Sequence, residues 1–243
     1  MFKTDNITRI QSVETVDEGL RQHMIKVFNY MCIGLLVTAL AAFVTINTPL
    51  LSLFFSYNAA TDTTSVSAFA WIITFSPLIL LFMFSFSINR ASIETLQLMF
   101  WGVSILIGMS LAPILLIYTS TSIVRVFLIT AATFGGMSLL GYTTKKDLSK
   151  LGSFLYMGVI GLLIASLTNI FMKSTSLDYA ISYIAVVVFT GLCATDTQKI
   201  KYIYYQLSNT NEVNKAAICG ALSLYINFVN LFMSLLRIMG DRR

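Results

Sequence analysis

Asp196, Ser223, Asn227 and Asn230 are the residues of this sequence whose types and spacing could do chemistry. Asp196 stands at the inner end of a long apolar run, in Ala194-Thr195-Asp196-Thr197-Gln198-Lys199-Ile200, and bases follow it at once. A carboxylate inside a membrane is costly unless it is paired, hydrated or protonated, so it reads first as a functional group. Ser223, Asn227, Asn230 and Ser234 are spaced by four, three and four, with Gly220 extending the series. At about 100° per residue they share one narrow helical stripe. Such a stripe cannot face lipid cheaply, so its helix is expected to be central and turned toward Asp196. Carboxylate and amide oxygens suit a hard cation such as calcium, which makes Asp196 the candidate calcium contact and the stripe a candidate gated ion path. Burial makes a carboxylate proton-sensitive, and protonation would remove the ligand's charge. Hydrogen bonding of one helix to another is the competing reading of the same residues.

The elements that must hold these residues follow from composition. With 56% hydrophobic residues, 11% charged and a mean hydropathy of +0.79, the chain does not suit a water-facing surface. Seven apolar runs can cross a hydrocarbon core as helices: Val27 to Ile46, Ala68 to Ile88, about Gln97 to Tyr118, Ser122 to Tyr142, Leu151 to Met172, Leu177 to about Thr195, and Ala216 to Met239. The expected fold is an all-α polytopic membrane protein, a seven-transmembrane-helix bundle with the last helix central. Residues 1–26 read as a polar N-terminal tail, 27–239 as the transmembrane domain and 240–243 as the C-terminal tail. Leu50 to Phe55 is too short to span and is assigned to the interface, with Asn58 to Ser67 as a loop. Pro77 and Pro113 should kink their helices, first as static packing and secondarily as hinges. Ala131, Ala132, Gly135 and Gly136 would let another helix approach span four, and Gly158, Gly161, Ala165 and Asn169 give span five a small inner face.

The net charge of +5 does not indicate nucleic acid, because the bases are scattered in short loops between apolar runs. They read as topology determinants. With a cytoplasmic N-terminus, 11 of the 16 bases fall inside, which favours N-in and C-out unless the last span is re-entrant. His23 is the one histidine, and Cys32, Cys193 and Cys219 have no CxxC spacing, so a zinc site, a disulfide framework and a histidine triad are excluded; the thiols read as small and buried. No HExxH, GxSxG, second intramembrane aspartate or Walker loop is present, and the last span has no lysine for a retinal Schiff base. Neither an enzyme nor a cofactor is expected; calcium enters only as a permeant ion.

Specific segments carry a family resemblance across nearly the whole chain: Asn89-Arg90, Phe134-Gly135-Gly136-Met137-Ser138 leading into Gly141-Tyr142-Thr143-Thr144-Lys145-Lys146-Asp147, Met157-Gly158-Val159-Ile160-Gly161-Leu162, Asp196-Thr197-Gln198, and Leu224-Tyr225-Ile226-Asn227-Phe228. The sequence resembles the transmembrane Bax-inhibitor-motif family, in its bacterial YccA-like branch. The resemblance implies seven helices with the last enclosed, a multi-pass protein of the bacterial inner membrane, and a pH-sensitive calcium leak in which two aspartates share a proton. Asp196 matches the first aspartate; the second falls on position 227, where this chain has Asn227. Two close carboxylates raise each other's proton affinity, whereas an amide can keep its neighbour ionised, so weakened proton coupling is expected. The resemblance also implies an arginine on helix two that pairs with the helix-six aspartate, for which Arg90 is the nearest candidate. The alternative it implies is a non-transporting regulator of a membrane AAA protease or of a cell-death or stress pathway.

Overall fold

The computed structural model describes the backbone of residues 2–58, 63–88, 90–207 and 212–243, and the side chains of 18–55, 67–88, 90–207 and 212–243. Asn89 and residues 59–62 of the expected loop lie outside these. The chain runs α1 (Phe2–Asn47), a short 3-10 helix (Pro49–Phe54), β1 (Phe55–Asn58), β2 (Thr63–Val66), α2 (Ala68–Ser87), α3 (Ile93–Leu115), α4 (Ser120–Thr143), α5 (Ser149–Met172), α6 (Thr175–Leu207) and α7 (Val213–Met239). Among the described residues, seven helices are long and apolar enough to cross a membrane, the first of them over Glu18–Asn47. The chain is therefore an all-α polytopic bundle, with one antiparallel hairpin, β1 against β2, between the first two spans.

Helix starts coincide with short polar residues whose oxygens take up an orphan backbone N–H. Ser67, Ser92 and Thr119 accept from the amides of Ala70, Thr95 and Ser122 at 3.2, 3.3 and 3.3 Å. Between α5 and α6 the turn is made by Lys173, among the described residues the one positive-φ residue that is not glycine (φ 49°), and Asn169 fastens it by accepting from the Ser174 amide at 3.0 Å. Pro77 deprives the Ile73 carbonyl of its helical donor, and the Ser76 hydroxyl replaces that donor at 2.9 Å. This satisfied carbonyl fits static packing at Pro77.

α7 is the centre of the bundle. Two thirds of its most apolar window (67%) is buried, against at most 44% in any other span. Ala217, Ile218, Ala221, Leu224, Tyr225, Leu231 and Leu236 are fully enclosed. On the face opposite the polar stripe, the Tyr225 hydroxyl meets that of Thr38 at 2.7 Å, and Thr38 also donates to the Ser104 carbonyl at 3.0 Å, which joins α1, α3 and α7. Gly108 makes this possible, since a Cβ there would strike the Thr38 carbonyl.

Several expectations are corrected. α6 continues to Leu207, so Asp196 lies inside a 33-residue helix and not at its end. Nothing after Thr197 breaks a helix, and Ile200 is buried against Gly220, so packing carries the helix past the end of the apolar run. Gly135, Gly136 and Gly161 face open space; the close approach on α4 is at Gly141, where a Cβ would collide with the Ala194 backbone. Cys32 is exposed, while Cys193 is buried. Apart from these corrections, α1 runs through residue 26 without a break, and Leu20 and Met24 pack in the core.

α7 is not re-entrant. At about 1.5 Å per residue its length is roughly 40 Å, more than the hydrocarbon core of about 30 Å. Its start is tied to α1 by Lys26 donating to Asn214 at 2.8 Å. Its far end is tied to the α3–α4 turn: Thr119 donates to the Asp241 carbonyl at 3.0 Å, Arg243 to that of Ile117 at 2.8 Å, and Arg125 pairs with Asp241 at 2.9 Å. The side of the bundle that holds Lys26 is thus opposite the side that holds the C-terminus.

Candidate functional site

Asp196 is 2% exposed and is the one buried carboxylate among the described residues. Two helices present three donors to it. From α7, Ser223 donates to Oδ2 at 2.6 Å and Asn227 donates through Nδ2 to the same oxygen at 2.8 Å; from α5, Tyr156 donates to Oδ1 at 2.7 Å. A buried charge without such donors would carry its full desolvation penalty, and hydrogen bonds to a charged group are worth about 1.5–3 kcal/mol each. Asp196 is the acceptor in all three, the role an ionised carboxylate takes.

The flanking residues of the same stretch hold α6 against the turn between α4 and α5. Gln198 accepts from the Leu148 amide and donates to the Lys146 carbonyl, both at 2.8 Å. Lys201 donates to the Tyr142 carbonyl at 3.1 Å in the last turn of α4, where a cation also suits the helix dipole. Lys199 lies 5.7 Å from the centroid of the Tyr156 ring, so the tyrosine that bonds Asp196 carries a cation on its other side.

Two cavities meet at the carboxylate. One, of about 390 Å³, leads from Asp196 and Ser223 past Lys199 to Glu212 and Lys215 at the α6–α7 connection. The other, of about 660 Å³, leads from the same two residues along Asn227, Asn230 and Ser234 to Arg237 at the far end of α7, walled by α2 and α5. A third, of about 410 Å³, also borders Asp196 and opens beside Tyr156 and Gln198. A route therefore extends along α7, mostly apolar in its walls but carrying the polar stripe of α7 on one side, with Asp196 where its halves join.

The sequence-derived residues divide accordingly. Ser223 and Asn227 touch Asp196. Asn230 lines the longer cavity one turn away, its amide donating to its own helix at the Ile226 carbonyl, 2.9 Å, and Ser234 donates to the Asn230 carbonyl at 2.7 Å. Arg90 is exposed beyond the end of α2 and does not pair with Asp196, which is buried within the bundle. Tyr156 and the clamp formed by Gln198 are the residues sequence reasoning missed. Tyr156 follows Gly152 and precedes Val159 on one face of α5, but that pattern says nothing of what the face meets. Among the described residues, no three His, Cys, Asp or Glu side chains converge as a metal site.

Fold and site define a class: a seven-helix membrane protein whose central last helix carries a polar stripe against a buried aspartate. Residues 20–243 match the family described as Inhibitor of apoptosis-promoting Bax1, and the chain belongs to that family. It is 46% identical over 241 residues to an uncharacterized protein of Rickettsia prowazekii, covering 99% of this chain and 98% of that one. It is 40% identical over 242 residues to the inner membrane protein YbhL of Escherichia coli, covering 98% of this chain and all of YbhL. An uncharacterized protein of Caulobacter vibrioides is 41% identical over 230 residues, 94% of this chain and 92% of its own.

Proposed function

We propose that this chain is a passive cation leak of a bacterial inner membrane, with calcium as the permeant ion and Asp196 as the gate. The observation that carries the reading is the meeting of the two α7 cavities at the one buried carboxylate. Its membrane follows from likeness to YbhL, which is named an inner membrane protein. Its orientation follows from charge: Lys145, Lys146, Lys150, Lys199, Lys201 and Lys215 gather at one end of the bundle, and the positive-inside rule makes that end cytoplasmic, with the N-terminus.

With three donors on Asp196, the path is closed. A cation arriving there competes with these donors for the carboxylate. The Ser223 hydroxyl and the Asn227 amide also own acceptor oxygens that can turn to the ion once their protons are displaced. Asn227 stands where the resembled pair has its second carboxylate, so Asp196 has no like-charged neighbour with which to share a proton and proton coupling is weak. Calcium uptake into liposomes holding the purified protein tests the path. Asn230→Leu removes a polar group from the long cavity without touching Asp196, and uptake is expected to fall several-fold. Uptake equal in the variant and the unaltered protein would sink the route along α7. A folded protein that passes no cation would favour the regulatory alternative.

A further inference from the structure

We propose that the groove between α1 and α4 binds an anionic glycerophospholipid, one acyl chain lying along the groove and the phosphate at its Arg21 end. This does not depend on the leak reading. The groove holds about 650 Å³ and is floored by Phe228 of α7. α1 and α4 meet through the edge-to-face pair of Phe28 and Phe134, whose ring centroids are 6.5 Å apart. A Cβ added at Gly135 would find no atom within 4 Å, so no part of the described chain fills this wall. From Phe127 to Tyr142 the α4 wall extends about 22 Å at about 1.5 Å per residue, more than the roughly 15 Å of one leaflet's hydrocarbon. That is the reach of an acyl chain.

The chemistry of the groove is graded along its length, and the grading selects the occupant. α1 and α4 are antiparallel, so Arg21 and Tyr142 share one end, while the middle and far end are lined by Met31, Leu35, Phe127 and Ala131. At the polar end Lys201 lies 5.4 Å from the centroid of the Tyr142 ring, and Lys145 and Lys146 follow as exposed bases. Among the described residues at this mouth, Glu18 lies 3.3 Å from Arg21 and Asp147 follows Lys146, but the Arg21 and Glu18 side chains are mostly exposed (67% and 54%), so the pair is screened and a phosphate can replace it. One turn inside Tyr142, Ser138 is buried and its hydroxyl has no hydrogen-bond partner among the described residues, an unused donor at the depth of a lipid's ester carbonyls. A basic mouth leading into an apolar trough fits an amphiphile standing along the bilayer normal.

The test is native mass spectrometry of the purified full-length protein offered equal phosphatidylglycerol and phosphatidylcholine of matched chains. Phosphatidylglycerol should be retained preferentially, and Arg21→Gln should reduce that preference on the order of five-fold, the effect of one base near a lipid phosphate. Gly135→Phe should fill the trough and release the retained lipid, with helical content unchanged by circular dichroism because the position faces open space. Excess glycerol phosphate should displace nothing. Equal retention of the two lipids, retention unaffected by Gly135→Phe, or displacement by glycerol phosphate would each overturn the proposal.

Discussion

Asp196 with Ser223 and Asn227 was legible as a group because a single helix sets the spacing of the α7 residues and because an acid in an apolar run is costly wherever it falls. The geometry sharpens what that group can do: one carboxylate oxygen takes both α7 donors and the other takes Tyr156. Asn227→Asp would replace a donor by a second carboxylate that shares a proton with the first, so calcium flux should become more steeply pH-dependent; flux in liposomes at matched pH values checks this. Tyr156→Phe removes one donor from the buried charge and is expected to lower stability by about 1.5–3 kcal/mol, read as a fall in melting temperature. Tyr156 was not legible, because its partnership crosses from α5 to α6, and helical periodicity reports only the face a residue shares with its own neighbours.

The seven spans could be read from hydropathy, since each needs about 20 apolar residues. Hydropathy measures the thickness of hydrocarbon, however, and α6 is built to exceed it. Its last turns hold the α4–α5 connection through Gln198 and Lys201, so the helix that carries Asp196 also fixes the turn leading into Tyr156's helix. Small residues were equally ambiguous: Gly135 and Gly136 stand over open space, whereas Gly141 permits the contact of α4 with α6 beside Asp196. Gly141→Leu should therefore destabilise the bundle by about 1–3 kcal/mol or more, as overpacking does, while Gly136→Leu should leave the melting temperature nearly unchanged. In the α4–α5 connection, the Ser149 hydroxyl and then its backbone N–H hold the exposed carboxyl of Asp147 below its usual value. A depressed carboxylate adds stability above its unfolded value, and that stability is lost as pH falls through the folded one. The protection of the Ser149 amide against exchange, taken relative to its intrinsic rate at each pH, should accordingly fall below about pH 4.

At the scale of the molecule, the bundle is arranged around α7: α1, α3, α4 and α6 pack on it, and its polar stripe faces the cavities walled by α2 and α5. The β1–β2 hairpin was hidden from the sequence because its strands are only four residues each in a polar stretch that reads equally well as loop. The C-terminus, left open by the sequence, is tied to the α3–α4 turn because Asp241 and Arg243 complete backbone pairing there. Cysteines placed at Ser149 and at Arg243 should label from opposite sides of the membrane; labelling from the same side would contradict a crossing α7.

On the proposed reading, cations pass where the two cavities meet and Asp196 decides their passage. Calcium flux through the reconstituted protein at two pH values, with Asp196→Asn alongside, tests ion, path and proton coupling together. Flux in the unaltered protein should change little with pH, and Asp196→Asn should lose at least tenfold at both values. Equal flux in the two proteins, or none in either, would contradict this reading.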